Sequence, residues 1–253
     1  MAAGHVLIEH DGPVAVMRLN RPPANAFDLE FARELEAAFA QIRDSDAARA
    51  IVVTGIEGYF SAGIDLKRVP LYGPSEQRAM ITTINRMIAS LYACPKPVVA
   101  AVNGHAIAGG LIFALASDYR VGTAAPCKIG ITEARAGIPF PAAAMAVLKA
   151  ELAANVGRRL TLRAQNIAPD EALASGVFDE LQPPARVLPA AITVANELAS
   201  IPTQAYARIK QQLRGDTIAF MNATNEGGTD PLLKAWLTAE TGPASEALLR
   251  DNK

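Results

Sequence analysis

The chain has 253 residues, of which 51% are hydrophobic and 19% are charged, so it has enough apolar material for a sizeable core. The formal net charge is -1, so no basic excess favours binding to nucleic acid or to an anionic membrane surface. Two cysteines cannot form a disulfide framework, and the three histidines lack the spacing of a metal site. We therefore expect a globular protein of a reducing compartment, with no bound metal.

Targeting and membrane signals are not evident in the sequence. Every long apolar run is interrupted well before the 18 residues that a membrane-spanning helix needs. The first residues, MAAGHVLIEHDG, do not place a basic segment before an apolar one, as a secretory signal does. The sequence therefore predicts a cytoplasmic protein that does not bind membranes.

The first quarter of the chain predicts strands that alternate with a helix. Apolar residues at 6–9 and 14–19 flank His10-Asp11-Gly12, which indicates a β-hairpin. Asp28 is a suitable cap for a helix whose apolar residues recur at helical spacing up to Ile42. A short buried strand is predicted at 50–54.

The stretch from residue 98 to residue 118 is the most informative part of the sequence. After a helix predicted at 74–91, it begins with an apolar strand at 98–102 and continues into a glycine-rich helix start at Gly109-Gly110. Glycine allows a ligand to approach the backbone, and the unpaired N–H groups of a helix start can bind negative charge. The alternative is a tightly packed crossing that needs glycine only for space.

The remainder of the chain becomes progressively more helical. A short strand at 119–122 is followed by a loop-rich segment, KIGITEARAGIPFP. The patterns then predict helices at 142–152, 156–162 and from Pro169, a strand at 177–181, and helices at 188–201 and 204–213. Alternating strands and helices define an α/β class.

Two loops share one design. The loop at 60–65 follows the strand at 50–54, and the loop at 108–110 follows the strand at 98–102. Ligands of α/β sheets bind beyond the carboxyl ends of parallel strands. One backbone N–H from each loop could therefore meet at a single oxygen and form an oxyanion hole, where each donor contributes about 2.7–4 kcal/mol.

The same segments resemble a known family. FSAGIDL followed by PKPVVAAVNGHAIAGGLIFALASDYRV, with LNRPPANAF near residue 20, resembles the crotonase superfamily of enoyl-CoA hydratases and isomerases. The resemblance implies a crotonase-like α/β fold, with a ββα spiral core at 1–195 and a C-terminal helical region at 196–253 that builds homotrimers or dimers of trimers. It also implies an acyl-CoA thioester substrate and no separate cofactor, because CoA is part of the substrate.

The family's site residues can be carried over to matching positions. The resemblance implies that the backbone N–H groups of Ile64 and Gly109 hold the thioester oxygen as it becomes an enolate. Lys67 or Arg68 could meet the CoA phosphates, or both could be solvated loop charges. Substrate-binding positions fall on Asn25, Ala26, Ala62, Gly63, Asp65, Leu66, Gly110 and Ile112.

The carboxylates distinguish the reactions of this family. Hydratases of the family carry one glutamate at the position of Ile112 and a second at the position of Glu133. Isomerases often have G-L-N-E where this chain has GITE, with an apolar residue at the first position. The sequence therefore resembles a Δ3,Δ2-enoyl-CoA isomerase. A double-bond shift needs only one base, Glu133, whose pKa an apolar pocket would raise.

The sequence also allows other interpretations. The protein could be a hydratase whose second proton-transfer group lies elsewhere, for example in residues 71–77, or a non-catalytic acyl-CoA-binding protein. Glu133 could instead be a solvated loop residue near Arg135. His105 could touch substrate, although packing under its loop is favoured, and we expect Asp65 and Asp118 to accept hydrogen bonds from backbone N–H groups.

Overall fold

The structure, a computed structural model, describes residues 4–251. Its strands, in chain order, are β1 (Val6–Asp11), β2 (Val14–Leu19), β3 (Ala50–Thr54), β4 (Gly58–Ser61), β5 (Val98–Val102), β6 (Gly104–Ile107), β7 (Tyr119–Thr123), β8 (Ile129–Gly130), β9 (Asn166–Ile167) and β10 (Glu180–Gln182). Its helices are α1 (Leu29–Asp44), α2 (Pro74–Tyr92), α3 (Gly109–Leu115), α4 (Glu133–Ala136), α5 (Ala142–Glu151), α6 (Ala154–Leu162), α7 (Pro169–Ala174), α8 (Val187–Ala199), α9 (Thr203–Gly227) and α10 (Thr241–Asp251). Single-turn 3-10 helices lie at Val69–Leu71, Pro184–Arg186 and Pro231–Leu233.

The strands form two sheets. The larger sheet has the order β1-β2-β3-β5-β7-β10. Its first pair is the predicted antiparallel hairpin, and every later pair is parallel. The smaller sheet has the order β4-β6-β8-β9, with an antiparallel pair only between β8 and β9. The α/β class predicted from the sequence is confirmed.

Side-chain alternation along β2 explains why the large sheet is buried on both faces. Val14 and Val16 point to one face, where they join a cluster that includes Ala191 and Ala195 of α8. Met17 points to the other face and belongs to the main core. Small residues at four-residue spacing let α8 lie flat on the sheet. The predicted boundary between residues 195 and 196 falls inside α8, and the division into two regions stays a prediction.

The predicted loops after β3 and β5 each contain a short strand that the sequence did not reveal. Strands β4 and β6 are four residues long, too short to display a period of two, and they pair with each other in parallel. Glycine makes this sheet possible: a Cβ on Gly104 would lie 2.2 Å from the Gly58 carbonyl oxygen. The two loops that the sequence predicts to form an oxyanion hole therefore follow strands of the second sheet, β4 and β6, rather than strands of the first.

Two helix and strand predictions near the C-terminus needed correction. The strand predicted at 177–181 begins only at Glu180, because Phe178 turns inward and packs against Gly122. The helix predicted to end at residue 213 continues to Gly227. Gly215 lies inside this helix and does not end it. Among the helices of the described residues, none has an apolar stretch long enough to cross a bilayer.

A buried ion network attaches α9 to the α/β core. Asp118 accepts a hydrogen bond from the Val98 N–H at 2.8 Å, as its predicted structural role requires. It also pairs with Lys210 at 2.8 Å and with Arg214 at 2.9 Å, two residues of α9 that are 7% exposed. Buried charges are tolerated when paired in this way. Helix α9 is therefore fixed relative to the core.

Candidate active site

A cleft of about 1400 Å³ opens beside the small sheet. Its walls include Ala26, Ala62, Ile64 and His105. A second cavity of about 30 Å³ adjoins it, and Ile64 and Glu133 line both. The cleft and the small cavity therefore meet at residues that the sequence singled out.

The backbone around Ile64 directs its N–H away from the N-terminal segment. The Phe27 N–H donates to the Gly63 carbonyl at 2.6 Å, and the Asp65 N–H donates to the Phe27 carbonyl at 2.9 Å. These two bonds form a parallel bridge between Phe27 and Ile64. In such a bridge the enclosed residue turns its own N–H to the opposite side. The Ile64 N–H is thus available on the side where the other loop lies.

Gly109 begins α3, so its N–H has no carbonyl within the helix to accept it. Ala108 immediately before it has φ 55° and ψ -131°, a conformation that is unusual for a residue with a side chain. The Ala108 N–H donates to the Gly130 carbonyl at 2.7 Å, which fixes this turn to β8. A strained turn held in this manner is typical of a functional site.

Gly63, Gly109 and Gly110, where the two loops approach each other, differ in what a side chain would meet. A Cβ on Gly63 would lie 2.8 Å from the Gly109 nitrogen, and a Cβ on Gly110 would lie 2.4 Å from the Ser61 carbonyl oxygen. Both are needed for the close approach of the two loops. A Cβ on Gly109 would meet nothing closer than 3.7 Å. Packing therefore accounts for Gly63 and Gly110 but leaves Gly109 unexplained.

Glu133 is the first residue of α4 and is only 5% exposed, so the alternative of a solvated loop residue is wrong. Desolvation raises the pKa of Glu133 from its ordinary value to about 8, and the residue's own N–H opposes this only in part. Within the described residues its Oε2 has no hydrogen-bond partner. A buried carboxyl group with one unpaired oxygen at a cavity wall is a candidate for proton transfer.

Apolar side chains surround Glu133 in the small cavity. Ile112 is 2% exposed and lines this cavity with Phe27 and Gly109. Among the described residues that line it, Glu133 is the only titratable one. In the segment 71–77, proposed above as a source of a second carboxylate, the single acid is Glu76, which is exposed and caps α2 through the Gly73 N–H. That segment supplies no acid to either cavity.

Three buried side chains near the C-terminus hold the segment that follows Glu133. The Ser245 hydroxyl donates to the Ala136 carbonyl at 3.3 Å, and the Thr241 hydroxyl donates to the Gly137 carbonyl at 2.9 Å. The Trp236 indole N–H donates to the Pro139 carbonyl at 2.9 Å. These contacts were not foreseen, because the tail pattern is weakly periodic and its partners are about 100 residues away in the chain.

The predicted substrate-binding residues separate into three groups. Ala26, Ala62, Asp65 and Leu66 line the cleft, whereas Ile112 lines the small cavity. Gly63, Gly110 and Asn25 lie behind these walls.

Asn25 is fully buried, and its side chain is occupied by the protein itself. Its amide donates to the Phe60 carbonyl at 3.0 Å and its oxygen accepts from the Arg21 N–H at 2.8 Å. Its φ of 50° suits asparagine better than most residues. The prediction that Asn25 touches substrate is therefore corrected: it shapes the loop that carries Ala26.

Of the two basic residues predicted to meet the CoA phosphates, only one lines the cleft. Lys67 is exposed on the cleft wall, whereas Arg68 is paired with Asp28 and does not line the cleft. The Asp65 carboxylate accepts from the Lys67 N–H at 3.0 Å, as predicted for a structural role, although it also lines the cleft.

His105 is both packed and accessible. Its ring lies 4.8 Å from that of Tyr59, its Nδ1 accepts from the Lys128 N–H at 2.8 Å, and it lines the cleft. Burial and the nearby Lys128 lower the pKa of His105. The cleft also includes Lys128, Arg159 and Arg163, which sequence patterns could not distinguish from ordinary surface charges.

These features agree with the comparison to known proteins. A family model described as enoyl-CoA hydratase/isomerase matches residues 9–228, so the chain belongs to the enoyl-CoA hydratase/isomerase family, whose members include enzymes of both kinds. The crotonase resemblance is confirmed.

Individual relatives carry both names. The chain is 32% identical over 221 residues to the human protein "Enoyl-CoA delta isomerase 1, mitochondrial". The aligned region covers 84% of this chain and 72% of the relative. It is 30% identical over 202 residues to the short-chain-enoyl-CoA hydratase of Clostridium acetobutylicum, and the aligned region covers 79% of this chain and 77% of that relative. The structure matches that of human mitochondrial delta3-delta2-enoyl-CoA isomerase with a TM-score of 0.91 at 26% identity, covering 98% of each chain. The enoyl-CoA hydratase EchA3 from Mycobacterium ulcerans Agy99 matches with a TM-score of 0.82 at 31% identity, covering 88% of this chain and 97% of that one.

Proposed function

We propose that the protein moves the double bond of a 3-enoyl-CoA to give a 2-enoyl-CoA, with Glu133 as its single acid and base. The observation that carries this proposal is the composition of the small cavity. Glu133 is its only titratable residue, and Ile112 presents an apolar side chain in the same wall. Addition of water needs polar groups to orient the water and deliver protons, whereas a double-bond shift needs one carboxylate.

The mechanism follows from the groups at the junction of the cleft and the small cavity. The thioester oxygen accepts hydrogen bonds from the Ile64 and Gly109 N–H groups, which contribute about 2.7–4 kcal/mol each to the developing oxyanion. The ionised Glu133 carboxylate removes a proton from C2, and the electrons of that C–H bond spread over a dienolate. The protonated Glu133 then delivers a proton to C4, which leaves the double bond between C2 and C3.

The raised pKa of Glu133 suits both halves of this reaction. With the pKa at about 8, roughly one carboxyl in ten is ionised at pH 7. The proton that Glu133 takes from C2 is then held firmly enough to remain until it is delivered to C4. A base with a pKa near the working pH balances these two demands.

The remaining parts of the proposal concern binding and assembly. Ala26, Ala62 and Leu66 on the cleft wall would contact the CoA moiety, and Lys67 would meet a phosphate. No cofactor other than the substrate's CoA is required, because an α-proton of a thioester beside a double bond is acidic enough for a carboxylate. The exposed apolar side chains of α9, with Leu213 82% exposed, support self-association, and we propose a homotrimer or a dimer of trimers.

The test measures two reactions of one preparation. The enzyme is incubated with a 3-enoyl-CoA and, separately, with crotonyl-CoA, and the absorbance of the conjugated thioester is followed. We expect absorbance to rise with the first substrate and to stay constant with the second. Loss of crotonyl-CoA absorbance would indicate a hydratase. Binding of CoA thioesters without either change would indicate a non-catalytic protein.

A matched pair of variants assigns the base. Glu133→Gln should lower kcat by at least about 100-fold while the KM for the CoA thioester changes little, since a positioned base contributes about 10²–10⁴-fold. Glu76→Gln, an exposed acid outside both cavities, should retain full activity. Normal turnover by Glu133→Gln would refute the assignment.

A further inference from the structure

The small cavity beyond Glu133 is nearly filled by apolar side chains. Its volume of about 30 Å³ is only two to three times the minimum of about 10–15 Å³ that one water molecule requires. The wall away from the cleft consists of Ile84, Met87 and Ile88 of α2, Ala144 of α5, Phe140 and Trp236. Phe140 is partly buried, and each of the other five side chains is at most 6% exposed, so this wall separates the cavity from solvent.

Trp236 is the largest side chain of this wall and is 1% exposed. It lies between the 3-10 helix Pro231–Leu233 and α10, on a segment without regular hydrogen bonds of its own. The bond from its indole N–H to the Pro139 carbonyl fixes the orientation of the ring. The ring is therefore a fixed barrier rather than a mobile one.

We infer that the enzyme takes acyl groups of about four to six carbons, and that Trp236 is the residue that sets this limit. The inference rests on the proposed function, which positions the thioester carbon at the Ile64 and Gly109 N–H groups. With C1 there and C2 to C4 beside Glu133, we place the further carbons of the acyl chain in the small cavity, which Gly109 and Glu133 also line. It has room for one or two of them, and its lining, Glu133 apart, offers a charged tail no partner.

Binding of saturated acyl-CoAs tests the limit without requiring turnover. The dissociation constants of acetyl-, butyryl-, hexanoyl-, octanoyl- and dodecanoyl-CoA are measured by calorimetry on the wild-type protein. Each methylene that fits should tighten binding about fourfold. We expect this gain up to butyryl- or hexanoyl-CoA, and then no further gain or weaker binding. A fourfold gain that continues to dodecanoyl-CoA in the wild-type protein would overturn the inference.

Variants identify the residue. Trp236→Ala should extend the gain to octanoyl-CoA, which it should bind at least 10-fold more tightly than the wild type does. Trp236→Phe, which keeps most of the bulk, should leave the limit within two carbons of the original. Met87→Ala opens the same cavity from α2 and should extend the limit by fewer carbons. If Trp236→Ala is folded by circular dichroism and its limit is unchanged, Trp236 does not set it.

The outcomes separate the two proposals. Failure of the wild-type protein to bind any acyl-CoA would refute the proposed function. Binding of acyl-CoAs with no length limit would refute only the inference about Trp236. If both opening variants fail to fold, the wild-type length series still decides whether the limit exists.

Discussion

Replacing Glu133 with glutamine should change how the stability of the protein depends on pH. The folded state holds a proton on this buried carboxyl group up to a pKa of about 8, whereas an unfolded glutamate loses it near 4.5. Between these values the folded state binds one more proton than the unfolded state. The free energy of unfolding therefore falls as pH rises through this range, and the contribution is complete only below pH 4.5.

The size of the effect follows from the difference between the two pKa values. One pKa unit corresponds to about 1.4 kcal/mol, so the wild-type protein should lose about 1.4 kcal/mol per pH unit from this group alone. Between pH 5 and pH 8 the loss should approach about 4 kcal/mol. Glu133→Gln has no proton to lose, and its side chain has nearly the same volume. Relative to this variant, the wild-type protein should become progressively less stable toward pH 8.

Urea unfolding at pH 5, 6, 7 and 8 measures this difference. The difference in unfolding free energy between the wild type and Glu133→Gln should increase in favour of the variant at each step. Glu57→Gln, a change at an exposed glutamate, serves as the control and should give the same difference at every pH. Parallel stability curves for the wild type and Glu133→Gln would show that desolvation does not govern this carboxyl group.

Three further predictions concern activity. The kcat/KM for a 3-enoyl-CoA should rise about 10-fold per pH unit up to about pH 8 and then level off, because only ionised Glu133 removes the C2 proton; a profile that is flat from pH 5 to 8 would exclude it as the base. Gly109→Ala should change the free energy of unfolding by less than about 1 kcal/mol and lower kcat/KM by about 10- to 100-fold. Gly110→Ala should lower the free energy of unfolding, measured in urea, by about 3 kcal/mol, because its Cβ would collide with the Ser61 carbonyl oxygen. Equal stability of the two variants would contradict this reasoning. Thr241→Val should lower kcat about 10-fold with little change in KM, because the Thr241 hydroxyl holds the segment after Glu133 and does not line the CoA cleft. Thr241→Ser keeps the hydroxyl and should keep the activity. An unchanged kcat in Thr241→Val would limit Thr241 to a role in stability.

Much of the fold could be predicted because its signals are local. The hairpin, the strand at 98–102 and the helix at 74–91 agree with the structure to within two residues. Period and burial are properties of a few consecutive residues, so they are visible in the sequence. The second sheet was not visible, since β4, β6 and β8 have two to four residues each and owe their existence to pairing with one another.

The sequence by itself determined the family, the apolar residue at position 112 and the choice of Glu133 as the candidate base. Only the tertiary structure decided that Glu133 is buried with its Oε2 unpaired among the described residues, that Asn25 serves its own loop, and that Trp236 closes the small cavity. Each of these depends on which distant segments meet. A carboxyl group acquires a raised pKa from the atoms that exclude water around it, and for Glu133 those atoms come from at least five separate segments of the chain.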